Sequence, residues 1–314
     1  MKALLLAVVK GEYLVEFRHI AGHTYIIETS AIVLGVYIFS DNSCLLIDSG
    51  GGKKFAHSVV EKLREKGLSI YGILNTHAHA DHCGGNNYIQ AISDCGIYAS
   101  ALERPFIENP ILTPLCYYSA YPVKALRNKF LMPSPSQVTA VIEPGKNEIN
   151  GVEFNIIDLA GHSIGQVGVE TPDKVTFLGD ALIGQGILEM FPFIYVTNLE
   201  NHLQSFRRIA KPPLQESFLS HGGRIDDISA LIRQNNQIID RILATIKKLI
   251  EIPKSREEIV SHFISLLGIH VSRTQYFLIS ESISAYLTYL CDTQQASVYI
   301  TDGLLLFKTK DSCF

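Results

Sequence analysis

The stretch NTHAHADHCGG (residues 75–85) places His77, His79, Asp81 and His82 within six positions. Neutral imidazole nitrogen and carboxylate oxygen are donors that Zn²⁺, Mn²⁺ and Fe²⁺ accept, so this density points first to a metal site. His77 and His79 stand two apart just past an apolar, strand-like run, Ser69–Leu74, and can point to the same side. Asp81 and His82 belong to the following turn and can reach a neighbouring point. One short segment can therefore serve two adjacent ions.

Two ions need more than four ligands, and the chain offers three more where it leaves other strands. IDLAGHSIGQVGV (157–169) holds His162 in a glycine turn, TFLGDAL (176–182) carries Asp180, and FLSHGG (218–223) carries His221. Strand ends are where α/β folds build their sites. The other six histidines (His19, His23, His57, His202, His262, His270) lack such spacing and read as surface or hydrogen-bonded core residues. Cys83, beside His82, reads as a small packed thiol.

HxHxDH followed in order by GHS, LGDA and SHGG resembles the metallo-β-lactamase superfamily of metallohydrolases, over roughly residues 23–225. The resemblance implies an α/β fold, an αβ/βα sandwich of two mixed sheets with outer helices. It implies two divalent transition-metal ions, zinc foremost, with iron or manganese as alternatives. His77, His79 and His162 would hold the first ion, and Asp81, His82 and His221 the second. Asp180 would bridge both, and Asp81 and Asp180 are the candidate catalytic carboxylates. Asp48, in LLIDSG (45–50), matches a strand-end aspartate that supports the site from behind the ligands. One departure stands out: glyoxalase II-type relatives read GHTxGH, whereas GHSIGQ puts Gln166 at the second histidine position.

Two such ions about 3.5–4 Å apart share a water and lower its pKa toward about 7, giving hydroxide at neutral pH without a serine or cysteine nucleophile. The expected activity is hydrolysis of a small ester, thioester or lactone. Candidate pocket walls are the proline- and aromatic-rich region 103–136, with Tyr117, Tyr118 and Tyr121, and the loop after Asp180, with Phe191, Phe193 and Tyr195. Two alternatives use the same fold: a phosphodiesterase acting on nucleic acid, and an iron-dependent persulfide dioxygenase. The second relies on one metal, against which a complete second ligand set argues.

The rest of the sequence narrows partners and organisation. The chain has 314 residues, 47% of them hydrophobic, and a net charge of −4. That length and composition suit one large domain with an appendage, and the charge does not favour nucleic acid. Six cysteines without a CxxC pair read as reduced thiols of a cytoplasmic protein. The apolar run Ala3–Val9 is followed by Lys10, Gly11 and Glu12 rather than a cleavage site, and reads as a strand. No run approaches a membrane span.

Residues 1–225 read as a catalytic α/β domain. It has strands at Tyr25–Ile27, Ile32–Phe39, Cys44–Ile47, Ser69–Leu74, Ile97–Ala99, Val138–Ile142, Glu148–Leu159, Gln166–Glu170, Lys174–Leu178 and Phe218–Ser220, with helices at Lys53–Lys66, Asn86–Ile92 and Leu199–Ile209. Residues 226–314 read as a helical, winged-helix-like region: a long amphipathic helix Ile225–Ile250 that leads into it, helices Ser255–Leu267 and Arg273–Leu290, and a hairpin turning at Asp302-Gly303. From residue 251 onward, five basic residues (Lys254, Arg256, Arg273, Lys308, Lys310) face seven acidic ones (Glu251, Glu257, Glu258, Glu281, Asp292, Asp302, Asp311). A nucleic-acid reader should be basic, so a packing or homodimerising role fits this region better.

Overall fold

Alternate residues of a strand face opposite ways, and here each face has its own partner. Ile27, Leu34, Leu46 and Ile73 join one buried cluster with Phe55, Val59 and Leu63 of helix Lys53–Glu65 and Ile89 of helix Asn86–Ser93. Their sequence neighbours Ile26, Val33, Leu45 and Leu74 point the other way and meet Phe154, Val169, Phe177 and Phe218 of a second sheet. The far side of that sheet delivers Leu159, Leu178 and Leu219 into a third cluster. The result is four layers, helix–sheet–sheet–helix, as the motif order implied.

The computed structural model describes residues 8–9, 12–13, 15–190, 193–211, 214–268 and 270–310. Of the expected strand Ala3–Val9, only Val8–Val9 falls among them, paired with Glu12–Tyr13. The first large sheet has the order Glu16–Ala21, Thr24–Glu28, Val33–Ile38, Ser43–Ile47, Ser69–Leu74, Gly96–Ser100, Ala140–Ile142. Pairing is antiparallel as far as Ser43–Ile47 and parallel beyond it. The second runs Gly145–Ile149, Val152–Asp158, Val167–Glu170, Val175–Phe177, Glu216–Leu219, Gly223–Arg224, with Val175–Phe177 parallel to Glu216–Leu219. The parallel strands of both sheets end at one edge of the sandwich, the edge where α/β folds place ligands.

The expected single strand Glu148–Leu159 is instead a hairpin. Asn150 (φ 51°) and Gly151 (φ 72°) reverse the chain between Ile149 and Val152. Two successive left-handed residues make the tight turn that matches strand twist, and Asn-Gly is its preferred pair. Residues 103–136, which show no clean period, hold the short helices Arg104–Glu108 and Leu112–Tyr118 and a 3₁₀ turn, Lys124–Leu126. Elements this short cannot show helical periodicity.

The C-terminal helices Ile228–Leu249, Arg256–Leu267 and Arg273–Asp292 share the third cluster through Ile239, Ile246, Phe263 and Tyr286. Ser255 with Glu258, and Ser272 with Gln275, form reciprocal caps at the starts of the last two. The terminal strands Ala296–Thr301 and Leu304–Thr309 turn at Asp302 (φ 50°) and Gly303 (φ 76°). Lys254 pairs with Phe307, adding a third short edge to this sheet. Among the described residues, no helix is long and apolar enough to cross a membrane.

Phe154 is fully buried between the sheets, edge-on to Tyr37 at a centroid distance of 5.1 Å. Phe154→Ala should cost about 3–5 kcal/mol, the usual range for emptying an aromatic core site. Urea denaturation measures this; a loss below about 1 kcal/mol, typical of surface changes, would contradict the inter-sheet packing.

Candidate metal centre

Every candidate ligand lies at the edge where the strands end. Ile47 leads into Asp48, Leu74 into the histidine cluster, Phe177 toward Asp180 and Leu219 toward His221. Asp48 sits at φ 64°, an uncommon conformation for a residue with a side chain. Its amide donates to the Leu74 carbonyl, and its carboxylate accepts from Thr76 N, Thr76 Oγ1 and His82 Nδ1, each at 2.8 Å. Thr76 Oγ1 spends its proton on Asp48, so His77 Nδ1 donates to Thr76 Oγ1 at 3.1 Å. His77 Nε2 and His82 Nε2 are thereby both left as the outward nitrogens.

Gly84 and Gly85 allow the loops carrying Asp48 and His82 to meet. A Cβ on Gly84 would lie 2.7 Å from the Gly52 amide nitrogen, and one on Gly85 2.4 Å from the Ser49 carbonyl. Cys83 is buried and donates to the Ala78 carbonyl at 3.2 Å, as a packed thiol should.

Three groups of donors converge. His77 Nε2 and His162 Nε2 each lie 3.0 Å from His79 Nδ1. Tetrahedral nitrogens held at 2.0–2.1 Å from zinc stand about 3.3 Å apart, so small adjustments would seat an ion there. Asp81 Oδ2 lies 3.2 Å from His221 Nε2, and His82 completes that group. Asp180 stands between the two, 3.5 Å from His82 Nε2, 3.6 Å from His162 Nε2 and 3.8 Å from His221 Nε2. Two further ring nitrogens are held from behind: His162 Nδ1 donates to the Tyr195 carbonyl at 3.3 Å and His221 Nδ1 to the Ala31 carbonyl at 2.8 Å.

The electrostatics divide along the same line. Burial holds His77 and His79 below the usual imidazole range and pushes His162 down to about 3, so all three keep a free lone pair. Burial opposes charge on His82 and His221 too, but there the carboxylates prevail. Asp180 and Asp48 raise His82 well above its usual range, and Asp180 and Asp81 raise His221 to about 9. Against their own burial, Asp180 is held low by His221 and His82, and Asp81 by the same two rings. His82 Nε2 and Asp180 Oδ1 are buried without a hydrogen-bond partner. Orphaned buried polar atoms are rare, and two of them facing each other fit a cation between them.

Two supports were not read from the sequence. Glu103 is buried and accepts from Ala78 N at 2.8 Å, Ser163 Oγ at 2.6 Å and Gly165 N at 2.8 Å, tying the His77–His79 loop to the His162 loop. Gln166 is fully buried; its Oε1 accepts from Asp180 N at 3.3 Å and its Nε2 donates to the Leu159 carbonyl. The residue that departs from the glyoxalase II pattern thus holds Asp180 in place. His202 differs from expectation: it is buried, and neither ring nitrogen has a hydrogen-bond partner. Burial pushes it down to about 3 and keeps it neutral, a ring packed on Phe206.

A cavity of about 580 Å³ opens over the donors, walled largely by apolar residues including Leu131, Leu182 and Ile187. Of the aromatic candidates, Tyr117 and Tyr195 line it. Tyr118 instead packs on Phe277, Tyr121 lies exposed beside Arg127, and Phe193 is buried against Phe263 and Tyr286. Phe191 lies outside the described residues.

The family profile of the metallo-beta-lactamase superfamily matches residues 29–221, the span that contains every one of these donors. The chain belongs to the metallo-β-lactamase superfamily. A hydroxyacylglutathione hydrolase of Vibrio campbellii is 30% identical over 183 residues, 58% of each chain. A probable metallo-hydrolase of Bacillus subtilis is 29% identical over 154 residues, 48% of this chain and 66% of that one. The chain thus spans about 58% and 66% of the length of these two curated relatives. A superfamily protein from Thermus thermophilus superposes with a TM-score of 0.71 at 18% identity, covering 95% of this chain and 98% of its own. A beta-lactamase domain protein from Burkholderia ambifaria gives 0.73 at 18%, covering 94% of both. At such identity the superpositions speak for the fold, which extends through the C-terminal helices.

Asp48→Ala should lower metal affinity by about 10–100-fold, the usual loss when an outer partner of ligating residues is removed. Competition against a chromophoric chelator reads this, with circular dichroism as the folding control. Unchanged affinity would show that the Asp48 network does not orient His77 and His82.

Proposed function

We propose that this chain is a metal-dependent hydrolase with a two-ion centre, acting on a small ester, thioester or lactone. The observation that carries the reading is Asp180: one part-buried carboxylate within 3.8 Å of nitrogens from both donor groups, with its buried Oδ1 unpaired, beneath an apolar cavity. In this reading His77, His79 and His162 hold one ion, Asp81, His82 and His221 the other, and Asp180 spans them. When bound, such ions, zinc foremost, supply Lewis acidity and an acidified water as nucleophile.

The chain's own residues do the rest. Asp48 and Thr76 engage Nδ1 of His82 and His77, so both rings turn Nε2 toward the centre, where an ion would take the place of any proton on His82. Asp180, whose carboxyl is held low by His221 and His82, can accept a proton from an attacking water. The apolar wall excludes bulk water and accepts an acyl chain. The hydrolases among its relatives support this reading, as does the donor set.

Elemental analysis after mild purification should find about two transition-metal ions per chain, since seven ligands and water fill two sites of four to five donors. Asp180→Ala should reduce hydrolysis by more than the roughly 100-fold typical of losing an outer partner, with the circular dichroism of the sheets retained. A panel of esters, thioesters, lactones and phosphodiesters tests the substrate class. Turnover confined to phosphodiesters, or near-normal activity of Asp180→Ala with full metal, would contradict the proposal.

A further inference from the structure

The C-terminal helix Arg273–Asp292 is wired to the wall of the metal centre. Ser282 Oγ accepts from Val196 N and donates to Val196 O, both at 3.0 Å. Tyr286 Oη donates to the Ile194 carbonyl at 3.1 Å, and Tyr195 Oη donates to Glu281. Three successive residues, 194–196, are thus pinned to one helix. Tyr195, the middle one, lays its ring against His79 and His162 at centroid distances of 5.7 and 5.2 Å, and its carbonyl holds His162 Nδ1.

A phenol carries one proton, and counting protons fixes the polarity of this wall. Tyr195 gives its proton to Glu281. In the 3.1 Å contact between the oxygens of Tyr117 and Tyr195, Tyr117 must therefore be the donor. Its proton is then spent, and its oxygen retains acceptor capacity alone. Both tyrosines line the cavity over the donors, as does Leu278 of the same helix.

We propose that Tyr117 is a specificity-determining residue that accepts a hydrogen bond from a hydroxyl or N–H of the substrate, and that Glu281 is the positioning residue that imposes this polarity through Tyr195. The inference rests on the hydrolase reading for the place of the substrate, and it narrows that reading to acyl compounds carrying a hydrogen-bond donor. A purely accepting group at the same place, such as an ether or a carboxylate, would meet the Tyr117 oxygen lone pair to lone pair. Leaving such a pair unmet in a buried wall is costly, which makes the discrimination sharper than one hydrogen bond in water would suggest. Burial pushes the Glu281 carboxyl up to about 7, so in alkaline buffer it is ionised and can only accept. Burial also raises both phenols, which keep their protons there.

The test uses the metal-loaded full chain in alkaline buffer and ester pairs of one chain length, in which a hydroxyl on the second, third or fourth acyl carbon is replaced by methoxy. The wild type should show a KM about tenfold or more lower for the hydroxyl member of at least one pair, the equivalent of one well-made hydrogen bond. Tyr117→Phe should bring the two KM values together. Glu281→Leu, which frees the Tyr195 proton and so lets Tyr117 donate, should erase or invert the preference, whereas Glu281→Gln, whose amide oxygen still accepts, should keep it. A helix that merely packs would not separate leucine from glutamine in this way. Circular dichroism and metal content confirm that each variant is folded and loaded. Equal KM values in every pair for the wild type, or a preference that survives Tyr117→Phe, would overturn the proposal. If no ester turns over, the hydrolase reading fails separately. Calorimetric binding of the free hydroxy and methoxy acids then decides the same question, equal affinities counting against it.

Discussion

The buried carboxylate of Asp48 is the interaction on which the metal centre depends. It holds a left-handed backbone conformation at the end of a parallel strand and receives three hydrogen bonds from the next strand's turn. Through them it sets two imidazoles at once, His82 directly and His77 by way of Thr76. Such strain persists only where the surroundings over-determine it. Here they do so through the amide bond to Leu74 and the close passage that Gly84 and Gly85 permit. The fold thus supplies a rigid pedestal before any ion arrives.

Around that pedestal the side chains balance one another's charges. Burial lowers the proton affinity of His77, His79 and His162, whereas Asp180, Asp48 and Asp81 raise that of His82 and His221. The same three carboxylates that favour charge on these two rings would favour a divalent cation among them. Metal affinity in such a site is coupled to proton release. Glu103 and Gln166 act at longer range, the first joining two ligand loops and the second fixing the backbone of Asp180. Loops that carry ligands from distant parts of the chain need such ties, because no local periodicity aligns them.

The candidate donors were legible in the sequence because metal chemistry restricts residue type and because each of them follows a strand. The layers were legible for a similar reason: alternation along Leu45–Leu46 and Ile73–Leu74 sends neighbours to different cores. The turn at Asn150-Gly151 carried its own signal, but the apolar alternation on either side read as one long strand. Glu103 and Glu281 carried none, and Gln166 stood out only as a departure from a motif, not for the contact it makes. A lone acidic or amide residue in a loop or helix looks solvated until tertiary packing shows what it touches. The six aromatic candidates fared similarly, since composition marks a wall without saying which ring faces the cavity. The C-terminal segment reads as an appendage by its helices and hairpin, yet its last helix fixes the tyrosine that borders His79 and His162.

A crystal soaked or grown with zinc, with anomalous diffraction recorded on both sides of the zinc edge, tests the two-ion centre most directly. The account predicts two peaks about 3.5–4 Å apart, one among His77, His79 and His162 and one among Asp81, His82 and His221, with the Asp180 carboxylate touching both. A single peak in fully loaded crystals, or an Asp180 carboxylate turned away from both ions, would contradict it.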